Sequence, residues 1–175
     1  PLLIWCRYHV HAMAWADIKM PIQVFTMATS RMTARHSLSA DKGEVPVGAV
    51  VIHGGKVIAK SHNLRESNKD PLAHAELLAI GDAAKLLGRW RLIECTLYVT
   101  LEPCPMCAGA IVNSRLDRIV YGTGDPRAGA CGTIFNIVED ERLNHRPEVV
   151  RGVLKEPCSQ ILSKFFKDLR AKRKD

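Results

Sequence analysis

The chain carries two short motifs whose side chains are suited to hold a metal ion. His74 lies two residues before Glu76, and Cys104 and Cys107 are separated by two residues in a second motif that contains prolines. Thiolates and a neutral imidazole suit Zn²⁺, and this cysteine spacing at the start of a helix lets both sulfurs face one ion. Three protein ligands, His74, Cys104 and Cys107, leave one tetrahedral position open for water. Such a vacancy is typical of catalytic rather than structural zinc sites.

Glu76 is the candidate proton carrier of this site. It lies in the same predicted helical turn as His74, so its carboxylate can approach a zinc-activated water without joining the coordination shell. Zinc lowers the pKa of bound water from about 15.7 to about 7, but a base must still move the protons. The helix dipole favours the ionised carboxylate and burial opposes it, so the sequence gives no direction for the net pKa shift.

Neither motif is specific by itself, since His-X-Glu is commonplace and Cys-X-X-Cys can be redox-active, structural or simply buried. The two together, each at the start of a predicted helix, predict a catalytic zinc ion. The other four cysteines are interpreted as ordinary thiols: Cys6, Cys95, Cys131 and Cys158. Cys131, in a glycine-rich segment, is the leading alternative as a fourth ligand. Free thiols around a thiolate metal site favour a reducing, intracellular compartment.

The elements that must position these residues alternate between strands and helices. Gly54 and Gly55 predict a tight turn between two apolar runs, and Asp70-Pro71 precedes a helical pattern that Gly88 ends. The remaining patterns predict strands over 96–101, 118–122 and 149–154, helices over 73–87, 104–112 and 158–172, and a short helical piece over 134–139. This alternation predicts an α/β fold with helices on both faces of a sheet.

Charge is distributed unevenly along the 175 residues, whose net charge is +7. Residues 1–42 carry +3, residues 43–154 are neutral and residues 155–175 carry +4. A neutral body with basic ends favours an anionic partner that docks at one surface, and the alternative is a basic tail that serves solubility. The ordinary composition excludes a disordered or fibrous chain.

The N-terminal region differs from the rest. Residues 1–26 are interpreted as an extension that we cannot assign, and residues 27–175 as one domain with a basic C-terminal helix. No run reaches the roughly 18 apolar residues of a membrane-spanning helix, so no membrane association is expected. We expect a cytoplasmic protein; the alternative is organelle targeting, because residues 1–40 contain a single acidic residue, Asp17, and weakly resemble a transit peptide.

The metal motifs resemble those of the zinc-dependent cytidine and nucleoside deaminases. Further segments are similar to the bacterial tRNA-specific adenosine deaminases: residues 43–50, 62–63, 73–76, 97–107 and 144–146. The similarity covers roughly residues 43–170. It implies a three-layer α/β/α, cytidine-deaminase-like fold with a mixed central sheet and hydrolytic deamination of adenosine to inosine at the wobble position of a tRNA anticodon. It also implies a homodimer and no cofactor besides one Zn²⁺ per subunit.

The resemblance also implies residue roles. His74, Cys104 and Cys107 hold zinc, Glu76 transfers protons, and the Ala75 N–H with the carbonyls near Leu101 and Glu102 orients the base. Four further side chains match family positions near the substrate: Asn63, Asp125, Asn144 and Phe165. For Asn63, Asp125 and Asn144, turn-stabilising hydrogen bonds are the alternative interpretation.

The C-terminal helix pattern bears on the substrate. Phe165 and Phe166 precede a basic helix end, which suits stacking on the unpaired bases of an anticodon stem-loop, but neighbouring helical residues point about 100° apart, so one of the rings must pack inward. The alternatives are a core phenylalanine pair with a solvated tail, a deaminase of free guanine or cytidine, and a non-catalytic zinc-containing RNA-binding subunit.

Overall fold

The computed structural model describes residues 43–172. Its elements are, in chain order, β1 (Gly48–His53), β2 (Lys56–His62), α1 (Arg65–Asn68), α2 (Ala75–Leu87), β3 (Cys95–Leu101), α3 (Pro105–Asn113), β4 (Arg118–Thr123), β5 (Glu148–Val150) and α4 (Lys155–Lys172). The strands form one sheet in the order β2-β1-β3-β4-β5. β1 is antiparallel to β2 and β3, whereas β3, β4 and β5 are parallel. The predicted mixed sheet is confirmed.

The hairpin of β1 and β2 forms where the two glycines predict it. Gly54 and Gly55 have φ angles of 55° and 73°, which residues with a side chain rarely adopt. Positive φ at both central positions gives a turn whose twist matches that of the flanking strands. β1 therefore pairs with β2 on one side and with β3 on the other, and it lies inside the sheet.

The two faces of the sheet are covered differently, because strand side chains alternate between them. Val51, Leu97 and Ile119 belong to a core cluster that includes the buried faces of α2 and α3. On the opposite face, Gly122 lies so close to Cys158 of α4 that an added Cβ would be 2.6 Å from the sulfur. Helices therefore pack on both faces, and the three-layer α/β/α expectation is confirmed.

The topology brings the two metal motifs to one edge of the sheet. Parallel pairing places the ends of β3 and β4 side by side, with Leu101 opposite Thr123. β3 leads directly into Cys104 and α3, while β4 leads into a loop over residues 124–133, which we call the β4 loop. Carboxyl ends of parallel strands are where open α/β sheets bind ligands.

The helical piece predicted over 134–139 is wrong. The segment forms turns with an isolated bridge between Cys131 and Asn136. The N–H groups of Ile134 and Phe135 both donate to the carbonyl of Gly129 instead of starting a helical pattern. Both side chains are exposed, while Val138 is fully buried without a helix.

Other boundaries move by a few residues. β5 is shorter than the predicted strand over 149–154, because Gly152 and Leu154 have positive φ angles that end extended backbone. α2 begins at Ala75 and α4 at Lys155, and the single turn α1 was not predicted. Three expectations concern residues outside the described range: the extension over residues 1–26, targeting by residues 1–40, and the basic residues beyond 172. Within residues 43–172, no helix has the length and apolar character needed to cross a membrane.

Candidate metal centre

The three predicted ligands converge at the starts of two helices. His74 is the N-cap of α2 and Cys104 the N-cap of α3, with Cys107 one turn into α3. The Nδ1 atom of His74 lies 3.7 Å from Sγ of Cys104 and 3.5 Å from Sγ of Cys107. All three ligand atoms lie within 4.8 Å of one another. Residues thirty positions apart in sequence thus form one cluster.

The chemistry of this cluster fits zinc. Two sulfurs and one imidazole nitrogen are the soft and intermediate donors that Zn²⁺ prefers. A hydrogen bond from the Cys107 thiol and the neighbouring His74 lower the pKa of the Cys104 thiol to about 4, so that Cys104 is a thiolate at neutral pH. The same hydrogen bond, together with burial, raises the pKa of Cys107. The hydrogen bond with Cys104 raises the pKa of His74.

Glu76 is buried beside the cluster, in the first turn of α2. Its side chain is 3% exposed, and its Oε2 atom accepts no hydrogen bond from the described residues. Burial raises the pKa of this carboxyl, which the sequence left without a direction. A buried carboxylate oxygen without a hydrogen-bond partner lowers the stability of a fold. Its presence therefore indicates that Glu76 has a chemical role rather than a structural one.

Cys131 is buried but does not join the ligands. Among residues 43–172, the group of side chains close enough to share a metal ion contains His74, Cys104 and Cys107 and no fourth member. Burial raises the pKa of the Cys131 thiol, and its backbone N–H donates to Glu102. The three-ligand set expected of a catalytic site is therefore the one that the fold assembles.

Asn63 connects the end of β2 to the start of α2. Its Oδ1 atom accepts the backbone N–H of Ala75 at 2.9 Å, and its side chain is buried. Because the oxygen must face this N–H, the Nδ2 group points away from the helix end and can donate elsewhere. The Ala75 N–H expected to orient a base is held by Asn63, and substrate contacts of both residues stay predictions.

The other predicted substrate residues lie on three separate segments. Asp125 is the second residue of the β4 loop, and its Oδ1 atom accepts the Arg127 N–H at 2.9 Å, a turn-stabilising bond. Asn144 is exposed and precedes His145, whose Nε2 lies 2.6 Å from the carbonyl oxygen of Leu116. Phe165 lies on the packed face of α4 at 6% exposure, edge to face with the less buried Phe166. Their contacts with RNA stay predictions.

The sequence did not single out the side chain of Glu102. It is 2% exposed and accepts hydrogen bonds from Asp125, Cys131 and Thr133 in the β4 loop. Burial opposes ionisation, but these bonds prevail and lower the pKa of Glu102. A charged residue at the end of an apolar strand was the available signal, since such a residue is buried only when it is paired.

Fold and site together define a deaminase with the cytidine-deaminase-like fold. The family model of the MafB19-like deaminases matches residues 24–170. The tRNA-specific adenosine deaminase of Bacillus subtilis is 56% identical over 134 residues, which cover 77% of this chain and 83% of that relative. The chain therefore belongs to the MafB19-like deaminases and, among them, to the tRNA-specific adenosine deaminases.

Solved structures give the same result. A structure from a study of A-to-I editing by tRNA:A34 deaminases matches with a TM-score of 0.73 and 37% identity, over 78% of this chain and 99% of that one. The guanine deaminase of Bacillus subtilis matches with a TM-score of 0.55 and 28% identity, over 87% and 95% of the two chains. The fold is thus shared with enzymes named for different substrates.

Proposed function

We propose that the protein hydrolyses the exocyclic amine of adenosine, giving inosine at the wobble position of a tRNA anticodon. The observation that carries this proposal is the convergence of His74, Cys104 and Cys107 beside a buried Glu76 whose Oε2 has no hydrogen-bond partner among the described residues. The name of the Bacillus subtilis relative supports adenosine in tRNA as the substrate. An inactive zinc-stabilised subunit would have no use for a buried carboxylate whose Oε2 atom lacks a partner among the described residues.

The proposed reaction needs water and a proton carrier. A zinc ion held by His74, Cys104 and Cys107 would supply a Lewis acid that activates water. Glu76 takes a proton from the attacking water and delivers it to the ring nitrogen next to the carbon that carries the amine. A second proton passes through Glu76 to the amine, which leaves as ammonia. Oxygen from water thus replaces nitrogen, with no net change in oxidation state.

The side chains around the centre are proposed to hold the base and its strand. The Nδ2 group of Asn63, on the other branch of the amide from the oxygen that accepts the Ala75 N–H, suits a hydrogen bond to the nucleotide. Asp125 and Asn144 are proposed to contact the flanking RNA. Because the predicted contact residue Phe165 is only 6% exposed, the less buried Phe166 beside it is the ring that a base can reach. Stacking of one base on an aromatic ring contributes about 1–3 kcal/mol, and basic residues near the end of α4 add contacts to phosphates.

The wider assignments follow from the same family. We propose one Zn²⁺ per subunit, a homodimer, a cytoplasmic location and an enzyme domain over residues 27–175. The +4 charge of residues 155–175 supports a surface that docks RNA.

Mass spectrometry of an anticodon stem-loop RNA after incubation with the zinc-loaded protein tests the proposal directly. Conversion of the wobble adenosine to inosine is the expected result. The variant Glu76→Ala should keep zinc and RNA binding and lose turnover by about 10²- to 10⁴-fold, the usual contribution of a general acid–base group. Asp82→Ala is the matched control, because Asp82 is an exposed carboxylate on the same helix. Deamination retained in Glu76→Ala would remove Glu76 from its role.

A deaminase of free bases is the second candidate, favoured by the structural match to a guanine deaminase. The same incubation with guanine and with cytidine separates the two functions. Activity on free bases without conversion of the stem-loop would refute the tRNA proposal and leave the zinc chemistry intact.

A further inference from the structure

The carboxylate of Glu102 binds both ends of the β4 loop. Its Oε2 atom accepts the N–H of Asp125 at 3.0 Å and the hydroxyl of Thr133. Its Oε1 atom accepts the N–H of Cys131 at 2.9 Å and that of Thr133 at 3.0 Å. One buried side chain therefore receives four hydrogen bonds from residues up to 31 positions away in sequence.

The backbone of the β4 loop fits closely around this carboxylate. A Cβ atom added to Gly129 would lie 2.6 Å from the carbonyl oxygen of Asp125 and closer still to Oε2 of Glu102. A Cβ atom added to Gly124 would lie 3.4 Å from the same Oε2. Glycine at position 129 therefore lets the loop approach the carboxylate directly, which a side chain would prevent, whereas a Cβ atom at position 124 would make only a close contact with Oε2.

Main-chain hydrogen bonds hold the β4 loop against the segment that leads into the metal ligands. The N–H of Glu102 donates to the carbonyl of Thr123 at 2.8 Å, and the carbonyl of Pro103 accepts the N–H of Ala130 at 2.9 Å. Cys104, one of the proposed zinc ligands, directly follows Pro103 in the chain. Movement of the β4 loop relative to the zinc ligands would therefore have to break bonds to Glu102 or Pro103.

We infer that Glu102 is a positioning residue, whose carboxylate fixes the β4 loop and Asp125 in place beside the zinc ligands before RNA binds. The consequence for turnover rests on the proposed function, because it needs Asp125 to meet the substrate. The inference that Glu102 fixes the β4 loop does not depend on the proposed function. An enzyme gains rate when the groups that contact its substrate are already in place, since no ordering cost is then incurred on binding.

The charge of the side chain matters, because four donors converge on two oxygens. Glu102→Gln keeps the length but turns an NH₂ group toward backbone N–H groups, so that at least one of them loses its acceptor. Glu102→Asp keeps the charge but is one methylene shorter and cannot reach all the donors at once. Thr133→Val removes the hydroxyl donor alone and alters the chain least.

Hydrogen–deuterium exchange of the zinc-loaded protein measures how firmly the amides of the β4 loop are held. In Glu102→Gln, the amides of residues 125–133 should exchange about 10- to 100-fold faster, the factor expected when a hydrogen bond to a charged group is lost. Glu44→Gln is the matched control, since Glu44 is equally buried and accepts the Ser67 N–H at 2.7 Å in another part of the fold. Glu44→Gln should leave exchange in the β4 loop unchanged. If Glu102→Gln does not fold, Thr133→Val provides the same comparison with a smaller effect.

A double-mutant cycle then tests the link to catalysis. If Glu102 acts through the loop that bears Asp125, the losses of kcat/KM in Glu102→Gln and Asp125→Ala on the stem-loop should be strongly non-additive, with zinc content unchanged. Additive losses, or wild-type exchange in the β4 loop, would overturn the inference. A wild-type protein that leaves the stem-loop unchanged would refute the proposed function instead, and the exchange measurement would still decide whether Glu102 holds the loop.

Discussion

Gly129→Ala is the substitution whose effect follows most directly from atomic distances. The added Cβ atom would lie 2.6 Å from the carbonyl oxygen of Asp125, a separation that real Cβ atoms essentially never show. Gly129 cannot shift aside freely, because its N–H donates to the same carbonyl at 2.9 Å. Its own carbonyl accepts the N–H groups of Ile134 and Phe135 at 3.0 and 3.1 Å. The strain must therefore be relieved by displacing Glu102 or the β4 loop.

The size of the effect follows from known costs of overpacking. Forcing a methyl group into a well-packed site costs about 1–3 kcal/mol. For a domain of this size, each kcal/mol lowers Tm by about 2–4 °C, so Gly129→Ala should lower Tm by about 2–12 °C. Gly81→Ala is the control: it lies within α2, and no atom lies within 4 Å of its added Cβ. Alanine should stabilise that helix by about 0.5–1 kcal/mol.

Calorimetry of the zinc-loaded Gly129→Ala and Gly81→Ala variants measures the change in Tm of each. Turnover on the stem-loop is measured well below the lower Tm. We expect Gly129→Ala to lose kcat/KM there while it remains folded, because the displaced loop carries Asp125. A Gly129→Ala protein with the Tm and turnover of the wild type would show that the loop is free to move, which would refute the packing argument. Equal destabilisation in Gly81→Ala would show that the loss comes from replacing glycine in general.

Two further predictions concern the zinc and the stability in acid. Cys107→Ser should lose tightly bound zinc, as measured by metal analysis after dialysis, whereas Cys158→Ser, which alters a buried thiol outside the ligand group, should retain it. Burial opposes ionisation of Glu139, but hydrogen bonds from Asn136 and Arg151 prevail and lower its pKa below the ordinary 4.5. Its ionised form therefore stabilises the fold above pH 4.5, and this contribution is lost as the pH falls through the folded-state pKa. Urea unfolding should find Glu139→Gln less stable than the wild type at pH 7, with the difference vanishing in acid; a difference that persists at low pH would contradict the assignment.

The zinc ligands could be predicted because their chemistry restricts residue type and spacing at short range. His74, Cys104 and Cys107 each lie at a helix start that local patterns already mark, and the fold needs only to bring two such starts together. The sheet could be predicted for a similar reason, since strand and helix periods are local. What the patterns omit is the pairing of β3 with β4, which determines which loops become neighbours.

The β4 loop and the segment after it show the limit of such reasoning. Ile134, Ile137 and Val138 have helical spacing, yet the N–H groups nearby donate to Gly129 and Ala130 across the loop. Long-range hydrogen bonds outweigh a weak local preference here, and Val138 is fully buried without a helix. Glu102 was missed for the same reason, as its partners lie 23 to 31 residues away.

Asn63 shows why two interpretations of one residue need not compete. Its Oδ1 atom makes the structural bond to Ala75 that the turn-stabilising alternative requires. That bond also fixes the orientation of the amide, so that the Nδ2 donor is aimed by the same contact that holds the helix start. Structural support and substrate recognition can therefore be properties of one side chain, and loss of the first would impair the second.

The basic charge of α4 is distributed less evenly than its sequence indicates. Nζ of Lys164 lies 2.6 Å from Oδ2 of Asp168, one helical turn away, so this pair adds little net charge to the helix surface. Lys167, Arg170 and Lys172 are exposed in the last turns. Attraction for phosphates must therefore come mainly from the end of α4 rather than its whole length. The contact of α4 with β4, where Gly122 approaches Cys158, lies near the other end of the helix. The exposed positive charge of α4 is therefore separated along the helix from the part that packs on the sheet.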